Sequence, residues 1–330
     1  MTISVKERGA ALILVLMVVA IITSVGVFSS NNLINLSKFS NDLKNRQQAQ
    51  WYAVGVESTA SNFLEQRVRE KNRSKIIADN DLPVIKVTLE GAQIEGSLKD
   101  LNACFNVNSL IRKDEISGDS IINQGGVDHY KRLLKVLSFN DFEIGGLVYP
   151  LVDWLDSDVF YSDSLGAEDD YYIRKDPSYR TGNQPISVLL ELNSIKNYSM
   201  EVVKNLSPYL CSLPLIGNTS VNINAIPEDK PALLAMFFGE NFSLTSAKNI
   251  LRDRPEGGFL DIAEFWAHPE LEDVIVSKSV RSQLRVNSYF YLLKTKVLAQ
   301  GYPYYMESVM SLEDSGFVSI LSRNIGVYDG

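Results

Sequence analysis

The stretch from Ala10 to Phe28 reads AALILVLMVVAIITSVGVF and carries no charge. A helix of about 20 such residues, rising about 1.5 Å each, crosses the hydrocarbon core of a bilayer. Lys6 and Arg8 stand on its N-terminal flank, which keeps that end on the cytoplasmic side. Everything after about Ser30 is then expected beyond the membrane. This run constrains the chain most, because one end is committed to lipid and the rest must fold in water.

A cleaved secretory signal needs a shorter apolar run and a small-x-small site after it, and here the chain continues without a turn signal into Asn31–Gln50. A plain membrane anchor fits the length. A further detail goes beyond both. The charged leader ends in Gly9 and the apolar run starts at Ala10. This resembles the leader of type IV pilins and pseudopilins, which a prepilin peptidase cuts after the glycine. The resemblance implies that the mature chain begins at Ala10 and that residues 10–30 form a membrane and assembly helix. Most such subunits carry Glu at the fifth mature position, where this chain has Leu14. In the family that Glu neutralises the terminal ammonium of the subunit before it, a charge costly to leave unpaired in apolar surroundings. A subunit with nothing above it does not need the Glu. Its absence is a mark of minor pseudopilin K of type II secretion, the GspK family.

The chain has 330 residues, 45% hydrophobic and 22% charged, enough for two or three globular domains. A net charge of −8 speaks against a general nucleic-acid scaffold. Cys104 and Cys211 are the only cysteines; beyond the membrane they form either a disulfide or two buried thiols. His129 and His268 are too few and too isolated for a histidine-based metal or catalytic site.

After Ser30 the first helix is expected to continue to about Glu70. Ala49, Ala53, Val56, Ala60, Phe63 and Leu64 form one face of it. Val84–Glu90 and Ile94–Leu101 read as paired strands around Gly91. Helical patterns follow, at Tyr130–Leu137 and Phe142–Tyr149. Asn-apolar-Asn occurs at 106–108 and again at 222–224. Leu133-Leu134 and Phe142 recur as Leu233-Leu234 and Phe242 at a constant offset, a hint of duplication. From Asn287 the texture is β-rich, with turns at Gly301 and Asp314-Ser-Gly316. The expected class is α+β: a pilin-like N-terminal helix and antiparallel sheet carrying a large inserted α-helical domain. The boundaries are a leader at 1–9, the membrane helix at 10–30, helix and first strands at 31–100, the insertion at 101–285 and terminal strands at 286–330.

The sharpest chemical signal is DWLDSDVFYSDSLGAEDDYY, at 153–172, without a lysine or arginine. Carboxylates so crowded repel unless a cation or solvent screens them. Ca²⁺ suits an irregular oxygen-rich loop, although the spacing is not that of an EF-hand. A solvated acidic loop is the plain alternative. A two-metal hydrolase needs a cleft and a His, Lys or Ser partner, and none is evident, so the chain is not expected to be an enzyme. The segment, followed by Pro177-Ser-Tyr-Arg-Thr-Gly-Asn183 and Glu191-Leu192, resembles the most recognisable stretch of the GspK family. That resemblance implies Ca²⁺ held by Asp156, Asp158, Glu168, Asp169 and Asn183, with Asp163 and Asp170 as further candidates.

Val221 to Phe265 resembles the helix-hairpin-helix units of DNA-binding proteins. Its turn, Phe238-Gly239-Glu-Asn-Phe-Ser243, has one glycine where a phosphate grip needs two, and Glu240 opposes phosphate. The GspK resemblance spans the chain. It implies a non-enzymatic subunit, single-pass in the bacterial inner membrane with its bulk in the periplasm. It would sit at the pseudopilus tip with minor pseudopilins I and J, above the major pseudopilin, starting assembly and limiting length. The other reading is a membrane-anchored periplasmic nucleic-acid-binding protein.

Overall fold

The computed structural model describes residues 5–71, 82–239 and 242–326. The side chains of residues 5–10, with the expected cleavage site Gly9–Ala10, and residues Glu240–Asn241 of the hairpin-like turn lie outside the described residues.

Helix α1 (Val5–Lys71) runs for 67 residues. No proline interrupts the chain before Pro83. Its apolar stretch has a mean hydropathy of 2.9, and none of that stretch is buried in the protein. Leu14 lies within it, exposed. Farther along, Ala49, Ala53, Val56, Ala60 and Leu64 are buried on one face. They pack on Ile94, Leu98, Leu293, Val297 and Met306 of the sheet. Each large apolar side chain so buried stabilises the contact by about 1.5–3 kcal/mol.

The remaining elements, in chain order, are β1 (Val84–Leu89), β2 (Ala92–Asp100), β3 (Phe105–Asn106), β4 (Ile111–Lys113), β5 (Ser120–Ile122), α2 (Gln124–Val136), α3 (Asp141–Leu155), α4 (Asp169–Tyr172) and α5 (Met200–Leu206). Then come β6 (Leu210–Cys211), β7 (Val221–Asn222), α6 (Ala232–Ala235), α7 (Leu244–Arg252), α8 (Ile262–Trp266), α9 (Lys278–Gln283), β8 (Leu284–Arg285), β9 (Phe290–Ala299), β10 (Tyr302–Leu312) and β11 (Val318–Ile325). The main sheet has the order β1-β2-β9-β10-β11 and is antiparallel throughout. Glu90-Gly91 and Gln300-Gly301 turn its two tight hairpins with φ positive at both residues (50° and 82°, 51° and 83°), the geometry that favours glycine second.

Asp100 ends β2 and its register partner Tyr291 lies in β9. The helical block therefore leaves and re-enters the sheet at one place. Asn102 closes the joint: its Oδ1 accepts from the N–H groups of Tyr289 and Phe290 at 2.7 and 2.8 Å, and its Nδ2 donates to Ser220 O. Cys104 and Cys211 are joined in a disulfide, settling the alternative left open by the sequence.

The block is two lobes of one plan. Each opens with a short strand and an Asn-x-Asn turn, and closes with a strand parallel to the first: β3 with β6, β7 with β8. In the first lobe Asn108 donates to Ile186 O and Leu213 O and accepts from Ile186 N. In the second Asn224 donates to Phe259 O and Val286 O and accepts from Phe259 N. The duplication differs in detail from the constant offset. Leu133, Leu134, Leu233 and Leu234 are all fully buried. Phe142, however, is exposed on α3, whereas Phe242 is buried just before α7. The matching residue is Phe139, which like Phe242 precedes a helix cap: Asn140 for α3, Ser243 for α7. Ile144, Leu147 and Val148 then match Ala247, Ile250 and Leu251, all buried. The first lobe adds the β4–β5 hairpin and the acidic loop between α3 and Ile186.

Candidate metal centre

Helix α3 delivers the acidic motif. A reciprocal cap between Asn140 and Glu143 fixes its start, and nearly all of its residues from Ile144 to Leu155 are buried. Asp153 and Asp156 fall three apart at its C-terminal end. That spacing puts both carboxylates on one face, at the end where the helix dipole is negative. Asp153 is compensated by backbone: its oxygens accept from Ser162 N at 2.8 Å and Ala167 N at 2.7 Å. Burial nonetheless raises its pKa above the ordinary carboxylate value. A Cβ at residue 166 would stand 2.1 Å from Asp153 Oδ2, so this closure requires Gly166.

Beyond the helix the loop brings Asp156, Asp158 and Glu168 together, with one carboxylate oxygen from each within 4.8 Å of the others. Asp156 and Glu168 are buried and Asp158 is exposed. Asp156 Oδ1 and both oxygens of Glu168 are buried with no hydrogen-bond partner. Burial, and then the charges of Asp158, Asp153 and Glu168, push Asp156 up to about 8. Burial, followed by Asp153 and Asp158, pushes Glu168 up to about 7. Three convergent carboxylates with orphaned oxygens form an all-oxygen donor set, which fits a hard divalent cation such as Ca²⁺.

The other candidate ligands are not part of this cluster. Asp169 accepts from the N–H and hydroxyl of Thr181 and pairs with Arg180 at 3.5 Å. Asp170 binds the Tyr161 hydroxyl and Arg174. Asp163 accepts from Ser164 Oγ and Leu165 N, a local turn. Asn183 is exposed, and its N–H donates to Trp154 O at 2.9 Å. Two residues outside the predicted set hold the site. One is Asp153, whose place in the motif was visible. The other is Lys196, whose ammonium donates to Leu165 O and Gly166 O at 3.1 and 2.9 Å. Trp154 Nε1 donates to Glu191 Oε1 at 2.9 Å, which explains why Glu191 belongs with the motif.

The hairpin-like region is built for the fold. Arg254 donates to the carbonyls of Ile223, Asn224 and Ile226 at 3.0, 2.7 and 3.0 Å, which ties the end of α7 to the turn that opens the lobe.

Comparison with known proteins agrees with this division. Residues 103–215 and 221–287 each match a family model described as type II secretion system protein K, one per lobe. Type II secretion system protein K of Aeromonas hydrophila is 32% identical over 258 residues, 77% of this chain and 78% of that protein. The Pectobacterium carotovorum protein of the same name is 27% identical over 325 residues, 98% of each chain. Among solved structures, the crystal structure of the GspK-GspI-GspJ complex from enterotoxigenic Escherichia coli matches with a TM-score of 0.71 at 23% identity, covering 88% of this chain and 99% of that one. The membrane-length helix, the interrupted sheet and two lobes that each match its models place the chain in the type II secretion system protein K family.

Proposed function

We propose that this chain is the minor pseudopilin at the tip of a type II secretion pseudopilus, bound to minor pseudopilins I and J. The observation that carries the reading is the two-lobed helical block inserted between adjacent strands of a sheet that packs on a membrane-length helix. The helix packs among neighbouring subunit helices. The block, broad relative to the helix that bears it, obstructs addition of a subunit above it. The chain thus starts assembly and limits length. Its fold neighbour was solved as a GspK-GspI-GspJ complex, which supports the partner assignment. Prepilin peptidase cleaves after Gly9, and Leu14 suits a subunit with no neighbour above. The Cys104–Cys211 disulfide supports a periplasmic location for the bulk of the chain.

Ca²⁺ held by Asp156, Asp158 and Glu168 locks the acidic loop onto the first lobe. These residues bind the ion, with no catalytic role. The test of the main reading is co-purification of the full chain with minor pseudopilins I and J, followed by dilution. A complex whose population falls with concentration supports the assignment. Failure to associate at tens of micromolar, with all three proteins folded, counts against it.

A further inference from the structure

The main sheet has two edges, β1 and β11, and they are finished differently. β11 is guarded. Its pairing with β10 shifts register between Val309 and Met310, and Asn324 Nδ2 donates to Ser187 O of the first lobe at 3.4 Å. A break in register and a covering segment are means by which a sheet edge avoids stray pairing. Among the described residues β1 has neither. All of it pairs with β2 in one unbroken register, Val84 with Ser97 through to Leu89 with Ala92, and no strand lies along its outer side.

The strand is also held in place. The turn that joins it to β2 is anchored on α1 through Glu90, whose Oε2 accepts from the Tyr52 hydroxyl at 2.9 Å and from Gln48 Nε2 at 3.3 Å. A strand fixed in this way presents its outward N–H and C=O groups without the ordering cost of a frayed one. Its side chains set what can pair there. The first helix crosses the sheet mainly over β9 and β10, so Val87 and Leu89, on the helix-bearing face, stay 48% and 49% exposed. On the other face the register aligns Lys86 with Glu95, and Glu95 with Lys296. Charge alternates along this row. Lys86 is its free end, 3.6 Å from Glu95 and 68% exposed. The next residue in the row has to be acidic, since like charges directly opposite one another destabilise a strand pair. One lysine in the middle of an edge strand thus turns away most strands and admits an acidic one.

We propose that the outer edge of β1 binds an extended acidic and apolar segment of another protein, which adds to the sheet as a further strand. A carboxylate of that segment stands opposite Lys86, and the apolar residues beside it in sequence face Val87 and Leu89. The site is a sheet edge, apart from the α1 surface that neighbouring helices cover, and it does not depend on which subunits flank the chain.

The test is residue-resolved hydrogen exchange of the full chain in detergent micelles. The probe is a short blocked peptide of alternating glutamate and valine, N-methylated at every second amide so that it offers one hydrogen-bonding edge and does not stack on itself. At a tenfold excess over its dissociation constant it is expected to slow exchange about tenfold at every second amide of β1, and to leave β11 unchanged. The counterpart peptide with lysine in place of glutamate should bind about fivefold more weakly, the scale of one cross-strand pair. Lys86→Glu should reverse the order of the two peptides, and Lys86→Gln should level them. Lys86 is exposed, so an unchanged melting temperature will show that the fold is kept. Slowing in β11 rather than β1, or no slowing at all, overturns the proposal. So does equal binding of the two peptides by the wild type, or an order that neither substitution changes.

Discussion

Arg323, on the last strand, grips the carboxylate of Glu57, on the first helix, with Nη2 to Oε1 at 2.7 Å and Nε to Oε2 at 2.9 Å. Ser308 Oγ adds a third contact at 2.8 Å. Glu57 is 5% exposed on the helix face that covers the sheet. The pair ties the two ends of the chain into one domain, around whatever is inserted between them.

Arg323→Met leaves a buried carboxylate with only Ser308. Removing one partner of a fully buried pair costs 3–5 kcal/mol. Arg323 itself is half exposed, so the expected loss is about 2 kcal/mol, read from denaturant unfolding of the full chain. Burial pushes the Glu57 pKa up, but the Arg323 and Ser308 hydrogen bonds and the Arg323 charge outweigh it, so the carboxyl sits below its ordinary value. The stabilisation is therefore complete above the unfolded pKa of about 4.3 and disappears as pH falls through the folded one. Arg323→Met should remove that acid limb, and because burial then acts on Glu57 with only Ser308 opposing it, the variant should instead lose stability as pH rises above about 4.3.

Ca²⁺ should raise the melting temperature of EGTA-stripped protein, because an ion that binds only the folded state adds stability with each increment above its dissociation constant, about 2.7 kcal/mol at a hundredfold excess. Asp156→Asn with Glu168→Gln should abolish that rise. In the absence of metal, the same double variant should be more stable than wild type, since it removes charge from oxygens that lack partners. A double variant that still responds to Ca²⁺ would move the ion elsewhere in the loop.

The five-strand sheet was legible because its strands alternate and its hairpins carry Glu-Gly and Gln-Gly turns, which are local signals. The α1 face was legible from alanine spacing. Duplication was visible in the Asn-x-Asn pair, but its register was not. A match of Phe142 to Phe242 counts residues, whereas the lobes are aligned by helix caps that sit three positions away. In the acidic loop, composition identified the region but not which carboxylates face inward. That depends on Asp153 folding the loop back through two N–H groups, and on Lys196, which arrives from beyond the acidic stretch. Neither is a local property. Arg254 carries the same lesson, since its three carbonyl acceptors come together only in the folded lobe.

Reduction should destabilise the first lobe. Cys104 and Cys211 close a loop with a sequence separation of 107. Cross-links of that span typically contribute about 2–4 kcal/mol. Cys104→Ser with Cys211→Ser is expected to lower unfolding free energy by that amount in oxidised buffer. Adding reductant should lower the wild type to the same level and leave the variant unmoved. A wild type insensitive to reductant would mean that the bond contributes nothing beyond packing.

The two lobes give a matched pair of substitutions. Asn108 and Asn224 each make three hydrogen bonds that hold the opening turn against the middle and the end of its own lobe. Both side chains are more than nine-tenths buried. Replacement by alanine strands backbone N–H and C=O groups, at about 1–3 kcal/mol for each buried group left unpaired. Each variant should therefore lose about 3 kcal/mol or more. The consequence should nevertheless be unequal. The first lobe is also closed by the disulfide, and the second lacks one. Hydrogen exchange should show Asn224→Ala releasing protection across residues 221–285 while the first lobe stays protected. Asn108→Ala should loosen the first lobe only in part while Cys104 and Cys211 remain joined, and fully once they are reduced. Equal exchange in both lobes for both variants would show that the block unfolds as one unit, and that the repeat no longer divides it energetically.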